Sequence, residues 1–90
     1  MNINIPELKK KIIYRSAYRG TKEMDSLISS FVKKYINDFN EHQLLCLLDL
    51  INIDDENLYK INQNKTTSID IKDNEVTKLF KKFIYIKFFI

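Results

Sequence analysis

The chain is poor in the residues from which sharp turns, metal sites and cross-links are made. In 90 residues it holds one glycine (Gly20), one proline (Pro6), one cysteine (Cys46), one histidine (His42) and no tryptophan. One glycine cannot supply a set of tight hairpins or a glycine-rich phosphate loop, which points to helices. One cysteine excludes an internal disulfide and suits a reducing compartment. His42 and Cys46 stand four residues apart, but no further His or Cys exists to complete a tetrahedral zinc site with them. Long apolar runs are missing too. The stretch from Phe83 to Ile90 is interrupted by Lys87 and is too short to span a bilayer. Its mixture of Lys with bulky apolar groups leaves a membrane-surface role open, with helix packing as the default. The first eleven residues carry neither a secretory apolar core nor an Arg- and Ser-rich amphipathic pattern. The expectation is therefore a bacterial cytoplasmic protein without stable membrane insertion, monomeric when free.

What is present suffices for one small domain covering residues 1–90. A chain of this size buries about 60–65% of the surface it exposes when unfolded. The 44% hydrophobic content can fill a single core, with little left over to enclose a cofactor. Fifteen basic against twelve acidic residues give a net charge of +3, and the two signs are interleaved along the chain. Nucleic-acid binders concentrate positive charge on one face or arm. A small basic helical nucleic-acid-binding protein is thus the alternative reading rather than the first. Thirteen of the basic residues are Lys. The Lys, Ile and Asn load reads as background composition. Only Arg15 and Arg19 stand out against it.

Apolar spacing predicts an all-α fold, a small five-helix bundle. The first helix is expected from Pro6 or Glu7 to about Arg19, with Pro6 in a first-turn position and Glu7 complementing the helix dipole. Gly20 then breaks the chain. Met24, Leu27, Ile28, Phe31 and Tyr35 mark a second helix from about Thr21 to Ile36. Asn40 and Gln43 have the spacing of a capping box opening a third, whose wide face of Leu44, Leu45, Leu47, Leu48 and Ile51 makes it central. Asp54, Asp55, Glu56 and Asn57 open a short fourth helix near Leu58 to Ile61. The polar stretch from Asn62 to Ser68 reads as a loop. A last helix is expected from about Asp73, through Val76, Leu79, Phe80, Phe83 and Ile84. Aromatic residues, Tyr14 among them, are assigned to the core.

The junction between the first two helices gathers chemistry. Arg15 and Arg19 lie one turn apart on a shared face, Arg19 adjoins the only glycine, and Glu23 and Asp25 follow in the next helix's first turn. Arg19 offers a planar fork of donors for carboxylates or carbonyls, and Gly20 allows another backbone close. The same residues also fit a plain helix end. Arg19 and Glu23 would then be an i,i+4 pair worth about 0.2–0.5 kcal/mol, and Gly20 a terminator.

Arg19-Gly20-Thr21-Lys22-Glu23 fits the RGxxE motif of the succinate dehydrogenase assembly factor family, the SdhE or FAD assembly factors. Tyr14-Arg15-Ser16, Met24-Asp25, Leu27 and Phe31 resemble its extended pattern. Leu47-Leu48-Asp49 and Asp54 to Leu58 resemble its second block, so the likeness covers residues 7–84. Tyr18 stands where relatives often carry a second basic residue, and Lys60-Ile61 where they often carry Trp. The resemblance implies a non-enzymatic helical factor with no cofactor of its own. It would bind the flavoprotein subunit of succinate dehydrogenase, and in some members that of fumarate reductase, and promote covalent attachment of the client's FAD through a client histidine. By the same resemblance Arg19, Gly20 and Glu23 would meet the client, with Arg15 and Asp25 beside them. No acid–base or nucleophile constellation in the chain argues for catalysis instead.

Overall fold

The computed structural model describes residues 4–84, and within them the chain forms five helices and no strand. They are α1 (Ile5–Ala17), α2 (Lys22–Tyr35), α3 (Glu41–Ile51), α4 (Asp55–Asn62) and α5 (Glu75–Lys82). The all-α, five-helix expectation is met. The sequence reading of residues 85–90 lies outside the described residues.

Each helix starts on a polar side chain that accepts a hydrogen bond from the main-chain N–H three residues on. Asn4 serves Glu7, Thr21 serves Met24, Asn40 serves Gln43, Asp54 serves Asn57 and Asn74 serves Thr77. These acceptors satisfy donors that a helix start otherwise leaves open. At α3 the Gln43 side chain returns the favour to the Asn40 N–H at 2.9 Å, completing the capping box. Part of the Asn load therefore has a definite job, contrary to its reading as background: three of the five caps are Asn.

Three helices end earlier or later than their patterns suggest, α5 among them: it stops at Lys82, with Phe83 already extended (φ −74°, ψ 126°), rather than continuing through Ile84. α1 stops at Ala17 rather than Arg19, because Tyr18 leaves helical geometry (φ −126°, ψ 70°) before the glycine is reached. α4 continues to Asn62 and closes on Asn64, whose φ of 56° is left-handed. The N–H groups of Asn64 and Lys65 then bond back to the carbonyls of Ile61 and Lys60 at 3.1 and 2.8 Å. Asn is one of the few side chains that tolerates this conformation at a helix end.

The core joins the inner faces of all five helices. α3 packs against α1 and α5, α1 also against α2, and α4 against α5, so α3 is central as expected. Ile12, Phe31, Leu44, Leu47, Leu58, Val76 and Phe80 are wholly buried. Phe31 sits among aromatic neighbours, with the rings of Tyr35 and Phe80 at 5.1 Å and that of Phe83 at 5.3 Å. Tyr14 departs from its core assignment. It is 67% exposed, since its position on α1 faces away from both α2 and α3. Polar side chains brace the ends. Asn62 donates to the carbonyls of Phe80 and Phe83, both at 2.9 Å, and Asn57 ties α4 to Ser68.

Candidate functional site

The turn between α1 and α2 is held from both sides, and its two arginines do not share a helical face. Because α1 ends at Ala17, Arg19 lies in the turn itself. Arg15 remains on the helix, exposed, and donates to the Asn52 side-chain carbonyl at 2.9 Å. Arg19 turns inward, its side chain only 11% exposed. Its Nε donates to Asp55 Oδ1 at 2.8 Å, one Nη to the Ile53 carbonyl at 2.6 Å and the other to the Ile51 carbonyl. Ile51 is the last residue of α3, where carbonyls lack intrahelical partners and the helix dipole is negative. The guanidinium thus stands between the closing end of α3 and a carboxylate in the first turn of α4. The planar fork suits three acceptors lying in different directions.

The main chain of the turn is fastened to α2. Asp25 accepts the Arg19 N–H at 2.7 Å, and Thr21 caps the helix that follows. Between these anchors Gly20 adopts φ +120°, a conformation that residues with side chains rarely take. A Cβ placed on it would have nothing within 4 Å, so its outer side is open space.

Glu23 does not pair with Arg19, and the i,i+4 bond considered from the sequence is absent. Glu23 is exposed, and among the described residues it has no hydrogen-bond or ion-pair partner. It stands on the rim of an open groove of about 700 Å³ between the start of α2, the end of α4 and the end of α5, with Met24, Tyr59, Asn62 and Phe83 also lining it. On the other side of the turn, the rings of Tyr14 and Tyr18 lie 4.9 Å apart, and Tyr18 is 72% exposed. With Arg15 and Asn52 they border a shallow depression.

Of the five residues singled out from the sequence, Gly20, Glu23 and Arg15 are exposed at this corner. Arg19 and Asp25 work from behind it. Sequence reasoning missed Asp55, which it read only as one of the residues opening the fourth helix, and the exposed Tyr14–Tyr18 pair. The pairing of Arg19 with Asp55 spans 36 positions and leaves no local pattern to read. The tyrosine pair did leave one, the helical spacing of four. His42 and Cys46 approach to 3.8 Å, and among the described residues no three candidate ligands gather around a metal position. No described helix is long and apolar enough to cross a membrane.

The comparisons bear on the same residues. The family model described as "Flavinator of succinate dehydrogenase" matches residues 10–84. Succinate dehydrogenase assembly factor 2-B, mitochondrial, of Drosophila willistoni is 35% identical over 79 residues, covering 84% of this chain and 50% of the relative. The protein of the same name from Drosophila mojavensis is 36% identical over 75 residues, 81% of this chain and 48% of the relative. Succinate dehydrogenase assembly factor 2, mitochondrial, of Scheffersomyces stipitis is 49% identical over 39 residues, 42% of this chain and 26% of the relative. The chain spans about half the length of the curated relatives that it matches over most of its own length. No solved structure matches significantly. The relatives are mitochondrial proteins of eukaryotes, which overturns the expectation of a bacterial cytoplasmic protein; a mere composition at the N-terminus had carried it. They are named assembly factors, not catalysts. With most of its described residues matched, from the middle of α1 to the end of α5, the chain belongs to the family of flavinators of succinate dehydrogenase.

Proposed function

We propose that this chain is an assembly factor that binds the flavoprotein subunit of succinate dehydrogenase and promotes covalent attachment of FAD to it. The compartment is taken to be the mitochondrion, as in the names of its relatives. One observation supports the reading above the rest. Gly20 and Glu23 stand exposed on a turn that the protein's own side chains fix from behind; the space outside Gly20 is open, and Glu23 has no hydrogen-bond or ion-pair partner among the described residues. Such a corner suits a partner that approaches the Gly20 main chain closely and meets the Glu23 carboxylate at the groove. Arg15, with Tyr14 and Tyr18, extends the contact along α1, while Arg19 and Asp25 keep the turn in shape.

The bond-making chemistry belongs to the flavin and the client. The factor's part is positional: it holds the client in the arrangement that sets its histidine against the flavin, where orientation alone carries much of a barrier. The nucleic-acid alternative gains nothing from the two arginines, which are engaged at the α3–α4 link.

The test is retention of flavin on a denatured client. The flavoprotein subunit is produced with no factor, with the wild-type chain, and with Glu23→Ala. Glu23 is exposed and unbonded among the described residues, so stability should change by no more than about 0.5 kcal/mol. Protein-bound flavin fluorescence should fall to the factor-free level. Wild-type fluorescence with a stably folded Glu23→Ala factor would remove Glu23 from the site.

A further inference from the structure

Arg19 is the residue whose motif position points to a partner, yet its Nε and both Nη atoms bond within the bundle and its side chain is only 11% exposed. We propose that Asp55 is a positioning residue of the docking turn, acting through Arg19 to hold Gly20 and Glu23 in the geometry that the client meets. The inference rests on the proposed function above and deepens it. It moves Arg19 from the contact surface to its support, and it adds to the site a residue from a different helix.

The turn lacks an apolar anchor. Tyr18, Gly20, Thr21 and Lys22 are all exposed, so no apolar side chain of the turn anchors it in the core. Besides the Thr21 cap, its order comes from polar contacts at one residue. The Arg19 main chain is tied to α2 through Asp25, and the Arg19 side chain to the α3–α4 link through Asp55 and the carbonyls of Ile51 and Ile53. Asp55 is the only charged member of that acceptor set. The two carbonyls alone would solvate the guanidinium but leave its charge uncompensated, and a mostly buried charge without a counter-charge is costly. Asp55 is itself mostly shielded, with its side chain 29% exposed, so water competes weakly for the pair. A turn held in this way is ordered before the partner arrives, and binding does not have to order it.

The test compares Asp55→Asn, which keeps the shape and an acceptor but not the charge, with Asp55→Glu and Arg19→Lys. Lys keeps the charge of Arg19 and loses the three-way fork. The free protein is followed by amide exchange, and binding is measured against purified flavoprotein subunit lacking covalent flavin, at a temperature where each variant is fully folded. Asp55→Asn and Arg19→Lys should speed exchange of the amides from Gly20 to Glu23 and weaken client binding about tenfold, the scale of re-ordering one or two side chains. The flavinylation plateau at saturating factor should be retained, and Asp55→Glu should recover part of the affinity. A purely structural role would lower the melting temperature and leave the affinity of the folded protein unchanged. Wild-type affinity and turn exchange in folded Asp55→Asn overturn the inference. Glu23→Ala separates the two levels: if it loses binding while Asp55→Asn does not, only the positioning role fails. If it too binds as wild type, the docking site itself is wrong and the positioning role goes with it.

Discussion

Replacing Gly20 with alanine isolates backbone strain from side-chain contact. At φ +120° an L-residue is strained whatever the surrounding space, while the added methyl would meet nothing within 4 Å. Strained backbone conformations of this kind cost about 1–3 kcal/mol. Alanine also narrows the unfolded ensemble, which returns about 0.4–1 kcal/mol. The net expectation is a loss of about 1–2 kcal/mol. A domain of this length has an unfolding entropy near 0.19 kcal/mol/K, from about 2.1 cal/mol/K per residue, so the melting temperature should drop by about 5–10 °C. Thermal melts and urea titrations measure it, and the urea slope should stay at the wild-type value because the folded surface does not change. A shift of under about 2 °C would show that the turn does not hold glycine at positive φ, since the strain term would then be missing. A much larger loss would mean that the methyl collides with something. Because nothing in the free protein touches the new methyl, a loss of flavinylation beyond what stability explains would report the client's own approach to this atom.

Phe80 is fully buried and edge-on to Phe31 at 5.1 Å, so Phe80→Ala should cost about 3–5 kcal/mol in urea unfolding; a loss under about 1 kcal/mol would contradict the packing described. Asp54 accepts the Asn57 side-chain amide at 2.8 Å and its main-chain N–H at 3.2 Å, which holds the carboxyl below the usual carboxylate range. A lowered native value means that Asp54 contributes fully above the unfolded value of about 3.9, and that the contribution is lost as pH falls through the lower native one. Asp54→Asn should flatten the acid limb of melting temperature against pH in that window. A limb parallel to wild type would refute the assignment.

Most of the architecture was legible because helices announce themselves locally. The stripe from Met24 to Tyr35, the Asn40–Gln43 box and the acids opening α4 involve residues three or four apart, and all three sit where their spacing puts them. Boundaries were less legible. Tyr18 leaves the helix through its own backbone geometry, and Asn64 closes α4 by a conformation that no apolar pattern records. At the site, the positions of Gly20 and Glu23 could be read from the sequence, but the inward turn of Arg19 could not. Its acceptors come from the closing end of α3, the following link and α4, and nothing within one turn of Arg19 hints at them. Tyr14 shows the opposite error: an aromatic residue was assigned to the core by type, when its helical position points it to solvent.

Because Arg19 is tied to partners 32 to 36 positions away, the shape of the corner depends on distant segments rather than on its own segment alone. A peptide spanning only the first two helices could carry every letter of the motif and still present the wrong shape. On the proposed function, docking would therefore require a finished third and fourth helix, and a factor cut before them would be silent instead of competing for the flavoprotein.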